Sequence, residues 1–199
     1  MRKLQLILAS SSPRRKELLE AIGIEPLIIP SGFDERSINT EGVSPERLVR
    51  TFAVEKAKKV SREHRDSLVL GADTVVYLNG EILGKPQDRV EAARMLQKLS
   101  GRTHRVYTGV ALYEPVTGDI ISDVDCSYVT FKELDSDEIN WYVETDEPIG
   151  KAGGYAIQGR ATIFITRVIG DYTSVIGLPM PKFYEILKKI GIELRSLIS

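Results

Sequence analysis

The 199-residue chain has one cysteine, Cys126, one tryptophan, and two histidines, His64 and His104. A lone cysteine excludes an internal disulfide and any cysteine-based zinc cage, and two distant histidines make no imidazole cage. The formal net charge is −1. No global basic field therefore exists to hold a long nucleic acid, and an anion site has to be a local cluster. No apolar run approaches the ~18 residues of a membrane span. The short apolar run near the N-terminus reads as a first strand rather than a secretion signal. A Walker loop is absent, as are repeats and low-complexity segments. What remains is a soluble globular composition, 42% hydrophobic and 28% charged, expected in the cytoplasm. Its length allows one sizeable core, or two small lobes around a central cleft.

Strand and helix signals alternate at first. Leu4–Ala9 reads as a buried strand, Pro13–Ile22 as a helix stopped by Gly23, and Pro26–Ile29 as a short strand. Ser31–Thr40 reads as polar loop. Ser44 caps a long helix that reaches about Glu63, with Pro45 at its first position. Leu68–Leu78 is the most apolar strand, and Asn79-Gly80 turns it back through Glu81–Leu83. Asp88 with Glu91, and Asp135 with Glu138, read as capping boxes for helices reaching Leu99 and Glu144. Between them lie three strand-like runs, Arg105–Tyr113, Ile120–Ser122 and Cys126–Leu134, and Cys126 reads as a small core residue. A glycine-rich loop, Gly150–Gly159, precedes strand Ile163–Ile169 and a final helix, Pro181–Ile190. The pattern predicts an α/β fold: a mixed, twisted sheet flanked by helices.

Two stretches carry chemistry. In LASSSPRRKELL the apolar run ends at three serines, and Arg14 and Arg15 open the helix. The helix macrodipole disfavours cations there by ~0.3–1 kcal/mol each, which a solvated surface helix tolerates. A phosphate would reverse that sign. The serine-rich turn, the helix N-terminus and two guanidiniums together make a ready anion site. In LVLGADTVV, Asp73 sits inside an apolar strand, where an unpaired carboxylate would cost several kcal/mol. It needs a cation, a metal or a proton. The plain alternative is a structural hydrogen bond to loop backbone. Lys85 follows the returning hairpin strand, so the hairpin can bring it back toward Asp73. Lys56 stands beside Lys58 and Lys59, and by its neighbours alone it belongs to a solvated face.

LASSSPRRKELL, GADTVV, GKPQD, SGRTHRVYTGVAL and EPIGKAGGYAIQGRA, in that order, resemble the Maf family from about Leu6 to Leu178. The resemblance implies a single domain over residues 1–199 with a fold like that of the inosine-triphosphate pyrophosphatases. It implies hydrolysis of a nucleoside triphosphate to a monophosphate and pyrophosphate, with a divalent cation, Mg or Mn, as cofactor. A homodimer and a link to septum formation go with it. Asp73 falls on the family's catalytic aspartate. Arg14, Thr74 and Gln158 fall on substrate-specificity positions. Ser10, Arg15, Lys56 and Lys85 match polar positions of the phosphate pocket. Glu35 matches an acidic position that shares the metal with Asp73, and Asp34 beside it leaves the register open by one residue.

KAGGYAIQG resembles the branch acting on dTTP and UTP rather than the one acting on 7-methyl-GTP. Gly150 stands where relatives can carry Asp. The Gln158 amide offers a donor and an acceptor to the carbonyl and ring N–H of thymine or uracil. By its residues alone the loop reads equally well as a flexible turn with Gln158 toward solvent. Two other classes stay open: a nucleotidyltransferase, which needs an acceptor site, and a non-catalytic division regulator. His64 reads as ending a solvated helix, His104 as making a loop hydrogen bond, with a place flanking the site as the alternative, and Trp141 and Tyr142 as core or interface. The final helix carries an apolar stripe, Phe183, Ile186, Leu187 and Ile190, read as core.

Overall fold

The computed structural model describes residues 4–38 and 42–198. The last two residues of the expected Ser31–Thr40 loop lie outside the described residues. The elements are β1 (Leu6–Leu8), α1 (Pro13–Glu20), β2 (Leu27–Ile28), α2 (Pro45–Ser61), β3 (Leu68–Leu78), β4 (Glu81–Leu83), α3 (Arg89–Leu99), β5 (Thr103–Tyr113), β6 (Ile120–Phe131), α4 (Ser136–Glu144), β7 (Ile165–Ile169), α5 (Tyr172–Ile176) and α6 (Met180–Lys189). Strand order is β2-β1-β3-β5-β6-β7, with β4 on β3. β1 pairs in parallel with β2 and β3, while β3–β4 and β6–β7 are antiparallel. The expected mixed sheet flanked by helices is what forms.

Local signals place most boundaries. Ser44 Oγ accepts the Arg47 N–H at 3.3 Å, and Asn79 and Gly80 take positive φ, 48° and 94°, as a tight hairpin turn requires. The Asp135–Glu138 box closes in both directions. The Asp88 box closes in one only. Asp88 accepts the Glu91 N–H at 2.7 Å, but Glu91 Oε2 takes the N–H of Gln87 instead, also at 2.7 Å. Ile120–Ser122 and Cys126–Leu134 are not separate strands but one, β6. The Asp123-Val124-Asp125 stretch between them reads as a break, yet residues 120–126 are all half-buried, so polar side chains fit there without interrupting the backbone ladder. Cys126 is accordingly half-buried rather than core, with Tyr107 as a neighbour. Helix α5 carries the β-branched run that argues against helix. Asp171 Oδ1 starts it by accepting the N–H and hydroxyl of Thr173 at 2.8 and 2.7 Å.

The contacts divide the chain into two compact units, and β3, β5 and β6 each contribute to both. The first comprises Met1–Asp73, Thr108–Asp125 and Gly177–Ser199. Alternation along its strands builds two cores. Leu6, Leu8, Leu68, Leu70, Ala72, Val110 and Leu112 pack with Leu19 of α1 and with Phe183, Ile186 and Leu187 of α6, and Ile190 lies half-buried against them. Ile7, Ala9, Val69 and Ala111 pack with Ala53, Ala57 and Val60 of α2. On that second face, two glycines set how deep α2 lies. A Cβ on Gly71 would stand 2.1 Å from the Ala53 carbonyl oxygen, and one on Gly109 would stand 2.4 Å from that of Val49. The helix backbone therefore rests directly on β3 and β5.

The second unit comprises Thr74–Tyr107 and Cys126–Ile176. Its centre is aromatic. Phe131 meets Tyr155, and Tyr142 meets Phe164, edge to face, with His104 edge to face on Phe131 and Tyr155. His104 lies on β5, 1% exposed, and makes the expected loop hydrogen bond, with Nε2 2.8 Å from the hydroxyl of Tyr155 in the glycine-rich loop. Its Nδ1 is buried without a hydrogen-bond partner among the described residues, and burial lowers its pKa to about 4. Trp141 is exposed while Tyr142 is fully buried. His64 lies beyond the end of α2, half-buried.

Candidate active site

Strand β3 alternates, so Gly71 and Asp73 share the face under α2. Because Gly71 lets α2 down onto the sheet, Lys56, one residue before the close contact at Ala57, is pressed toward the same strand. Lys56 Nζ donates to Asp73 Oδ1 at 2.5 Å and to Glu35 Oε1 at 2.7 Å. Lys56 and Asp73 are 8% and 5% exposed. Lys56 is therefore not on a solvated face like Lys58; it is the cation that the buried carboxylate requires. Glu35 begins a short 3-10 turn, Glu35–Ser37. Asp34 beside it is exposed and offers its carbonyl to the Ser37 N–H, so the acidic partner in this unit is Glu35.

Arg15 reaches the same place from α1. Its Nε donates to the Gly177 carbonyl at 2.7 Å and its Nη1 to Ser10 Oγ at 2.8 Å. Ser10 is buried at the end of the first strand's turn and also takes the Ser12 N–H at 3.2 Å. Ser11, by contrast, is exposed, and Ser12 makes no side-chain cap; of the three serines it is Ser10 that faces inward. The Arg15 guanidinium acts electrostatically on Asp73 and Glu35, and Arg14 on Arg15. Burial pushes the Asp73 carboxyl above its ordinary value. Lys56 and Arg15 pull it back, and Glu35 adds to the rise.

The first unit thus brings together Ser10, Arg14, Arg15, Glu35, Lys56 and Asp73. Thr74, Lys85 and Gln158 belong to the second unit. Thr74 is half-buried on β3. Lys85 is exposed, two residues beyond the last hairpin pair, Val76↔Leu83. Gln158 is exposed in the glycine-rich loop, between buried Ile157 and half-buried Gly159. Sequence patterns do not point to the Gly177 carbonyl. Gly71 and Gly109 do leave a signal, since glycine inside a strand marks a close backbone approach.

The donor set bears on metal binding. Among the described residues no group of three or more His, Cys, Asp or Glu side chains could hold an ion. Two carboxylates, Asp73 and Glu35, converge on one point, the Lys56 ammonium. That suits a hard cation taking one or two carboxylates, with water and phosphate completing its shell. It does not suit a closed all-protein cage.

Among families of known proteins, the model described as Maf-like protein matches residues 5–190. A dTTP/UTP pyrophosphatase of Syntrophus aciditrophicus (strain SB) is 49% identical over 94% of this chain and 90% of its own. One from Pelotomaculum thermopropionicum is 48% identical over 94% and 97%, and one from Bacillus anthracis 46% identical over 97% and 98%. A solved HAM1 protein from Coxiella burnetii aligns with a TM-score of 0.49 at 15% identity, over 94% of this chain and 99% of that one; nothing about this chain rests on it. No described helix is long and apolar enough to cross a membrane.

Proposed function

The chain belongs to the Maf-like family, and we propose that it is a dTTP/UTP pyrophosphatase, hydrolysing these nucleotides to the monophosphate and pyrophosphate. The observation that carries this is the cation-bound Asp73, buried beside Arg15 and Glu35, in a chain nearly half identical to enzymes of that name across nine-tenths of both lengths.

Phosphoryl-type transfers ask little covalent help of a protein; positioning and charge stabilisation do most of the work. A triphosphate brings about four negative charges at neutral pH. Arg14, Arg15 and Lys56, with Lys85, answer them, and the Ser10 and Gly177 contacts hold the Arg15 fork in one orientation. Asp73 takes a proton from the attacking water as its oxygen bonds to the α-phosphorus. The α–β bridging bond breaks, and pyrophosphate leaves. Burial raises the Asp73 carboxyl, which makes it a better base than an exposed carboxylate. Asp73 and Glu35 would hold Mg²⁺ or Mn²⁺, whose chemistry is to neutralise phosphate charge. Gln158 reads the pyrimidine through its amide, and Arg14 and Thr74 shape the same choice. The near-zero net charge favours a free nucleotide over nucleic acid, in the cytoplasm, with a homodimer as the expected assembly.

Pyrophosphate release by the purified protein with Mg²⁺, assayed over a panel of triphosphates without an acceptor, tests this. Release from dTTP and UTP is expected. Turnover of 7-methyl-GTP but not dTTP or UTP would move the chain to the other branch. No release from any triphosphate would leave the non-catalytic division regulator.

A further inference from the structure

The glycine-rich loop is a pinned structure. The Tyr142 hydroxyl accepts the Ala156 N–H at 3.2 Å and donates to Glu147 Oε1 at 2.9 Å. The same carboxylate accepts the Arg160 N–H, at 2.9 Å from Oε1 and 3.1 Å from Oε2. Between these two pins, the Gly159 N–H bonds to the Ala156 carbonyl at 3.0 Å. Thr162 Oγ1 lies 2.6 Å from the carbonyl oxygens of both Ile157 and Gly159. A Cβ on Gly159 would stand 2.2 Å from Glu147 Oε1, so glycine is what lets the carboxylate reach under the loop. Ala156 and Ile157 are buried, and Gln158 alone of the central residues is exposed.

The pins fall two residues before and two residues after Gln158. We infer that Tyr142 and Glu147 are specificity-positioning residues: together they fix the backbone on both sides of Gln158, so that its amide meets the pyrimidine base already oriented. This rests on the reading of Gln158 as the base-recognising residue. A held amide loses less conformational freedom on binding than one on a mobile turn, and the difference appears as affinity and discrimination. Neither residue touches the reacting phosphates in this scheme, so the effect belongs to nucleotide binding rather than to the chemical step.

The test compares Tyr142→Phe, Glu147→Ala, Glu147→Gln and Gln158→Ala in the full chain, with KM and kcat for UTP and for ATP as a purine reference. Tyr142→Phe keeps the buried ring, and Glu147→Gln keeps an acceptor for the Arg160 N–H. Tyr142→Phe and Glu147→Ala are expected to raise KM for UTP by about tenfold, the upper range for a lost hydrogen bond, and to lower UTP-over-ATP selectivity by the same factor. Glu147→Gln should recover most of it. A lower kcat for both nucleotides with KM and selectivity unchanged would mean that the pair only supports the fold, and would overturn the inference. If Gln158→Ala loses selectivity and the two pin variants do not, the inference fails while the reading of Gln158 stands. If Gln158→Ala itself changes nothing, both fall.

Discussion

Lys56 Nζ on helix α2 lies 2.5 Å from Asp73 Oδ1 on strand β3, inside the first unit rather than at its surface. Both are nearly solvent-free, and the pair forms because Gly71, two residues before Asp73, has no side chain to hold the helix off the strand.

Filling that gap is the first expectation. Gly71→Ala puts a methyl 2.1 Å from the Ala53 oxygen, so α2 has to lift. Overpacking of this kind costs roughly 1–3 kcal/mol, read as a lower denaturant midpoint. Because Lys56 rides on the lifted segment, kcat should fall further than the loss of folded protein explains. Gly109→Ala, against Val49 about two turns away, should destabilise similarly and cost less activity.

Breaking the ion pair from either side should give opposite stability effects. Lys56→Met leaves the buried Asp73 carboxylate without its hydrogen-bonded cation, which costs roughly 3–5 kcal/mol and should appear as a large drop in Tm. Asp73→Asn removes a charge that burial disfavours, while Glu35 still pairs with Lys56. It should keep Tm or raise it at neutral pH and abolish pyrophosphate release. An active Asn variant refutes the role of Asp73.

The raised Asp73 carboxyl also sets a pH limit. Ionised Asp73 is the working form, so the acid limb of kcat/KM should fall at a pH above the ordinary 3.8. The stability sign is the reverse. An acid raised on folding stabilises below its unfolded value and loses that contribution as pH rises through its folded value. The enzyme is therefore expected to carry this carboxylate at some cost to stability near neutrality.

His104 should give a separate acid sensitivity. Its pKa is 6.5 ordinarily and about 4 when buried, so below 6.5 the unfolded chain takes up a proton that the folded chain refuses. Stability is full above 6.5 and declines as pH falls toward 4, by up to roughly 3 kcal/mol. Tm measured across that range should flatten in His104→Gln, against a lower starting value from lost aromatic packing.

Local patterns in the sequence determined a good deal. Apolar alternation, the Ser44 and Asp135 caps and the Asn79-Gly80 turn are properties of neighbouring residues, and they located nearly every strand and helix. The isolation of Asp73 in an apolar strand demanded a cation, a metal or a proton before any partner was visible. The ordered motifs marked the family, because their spacing is written along the chain. Only tertiary structure decided that Lys56 is the cation, that Glu35 rather than Asp34 joins it, that Ser10 braces Arg15, and that His104 sits inside an aromatic core. It also joined Ile120–Phe131 into one strand across a polar stretch, and tied Tyr142 and Glu147 to the loop around Gln158. The physical reason is common to all of these. Burial and pairing depend on which distant residues the packed sheet and helices bring within hydrogen-bond reach, and a charge such as that of Lys56 looks the same in the sequence whether it ends in water or beside a carboxylate.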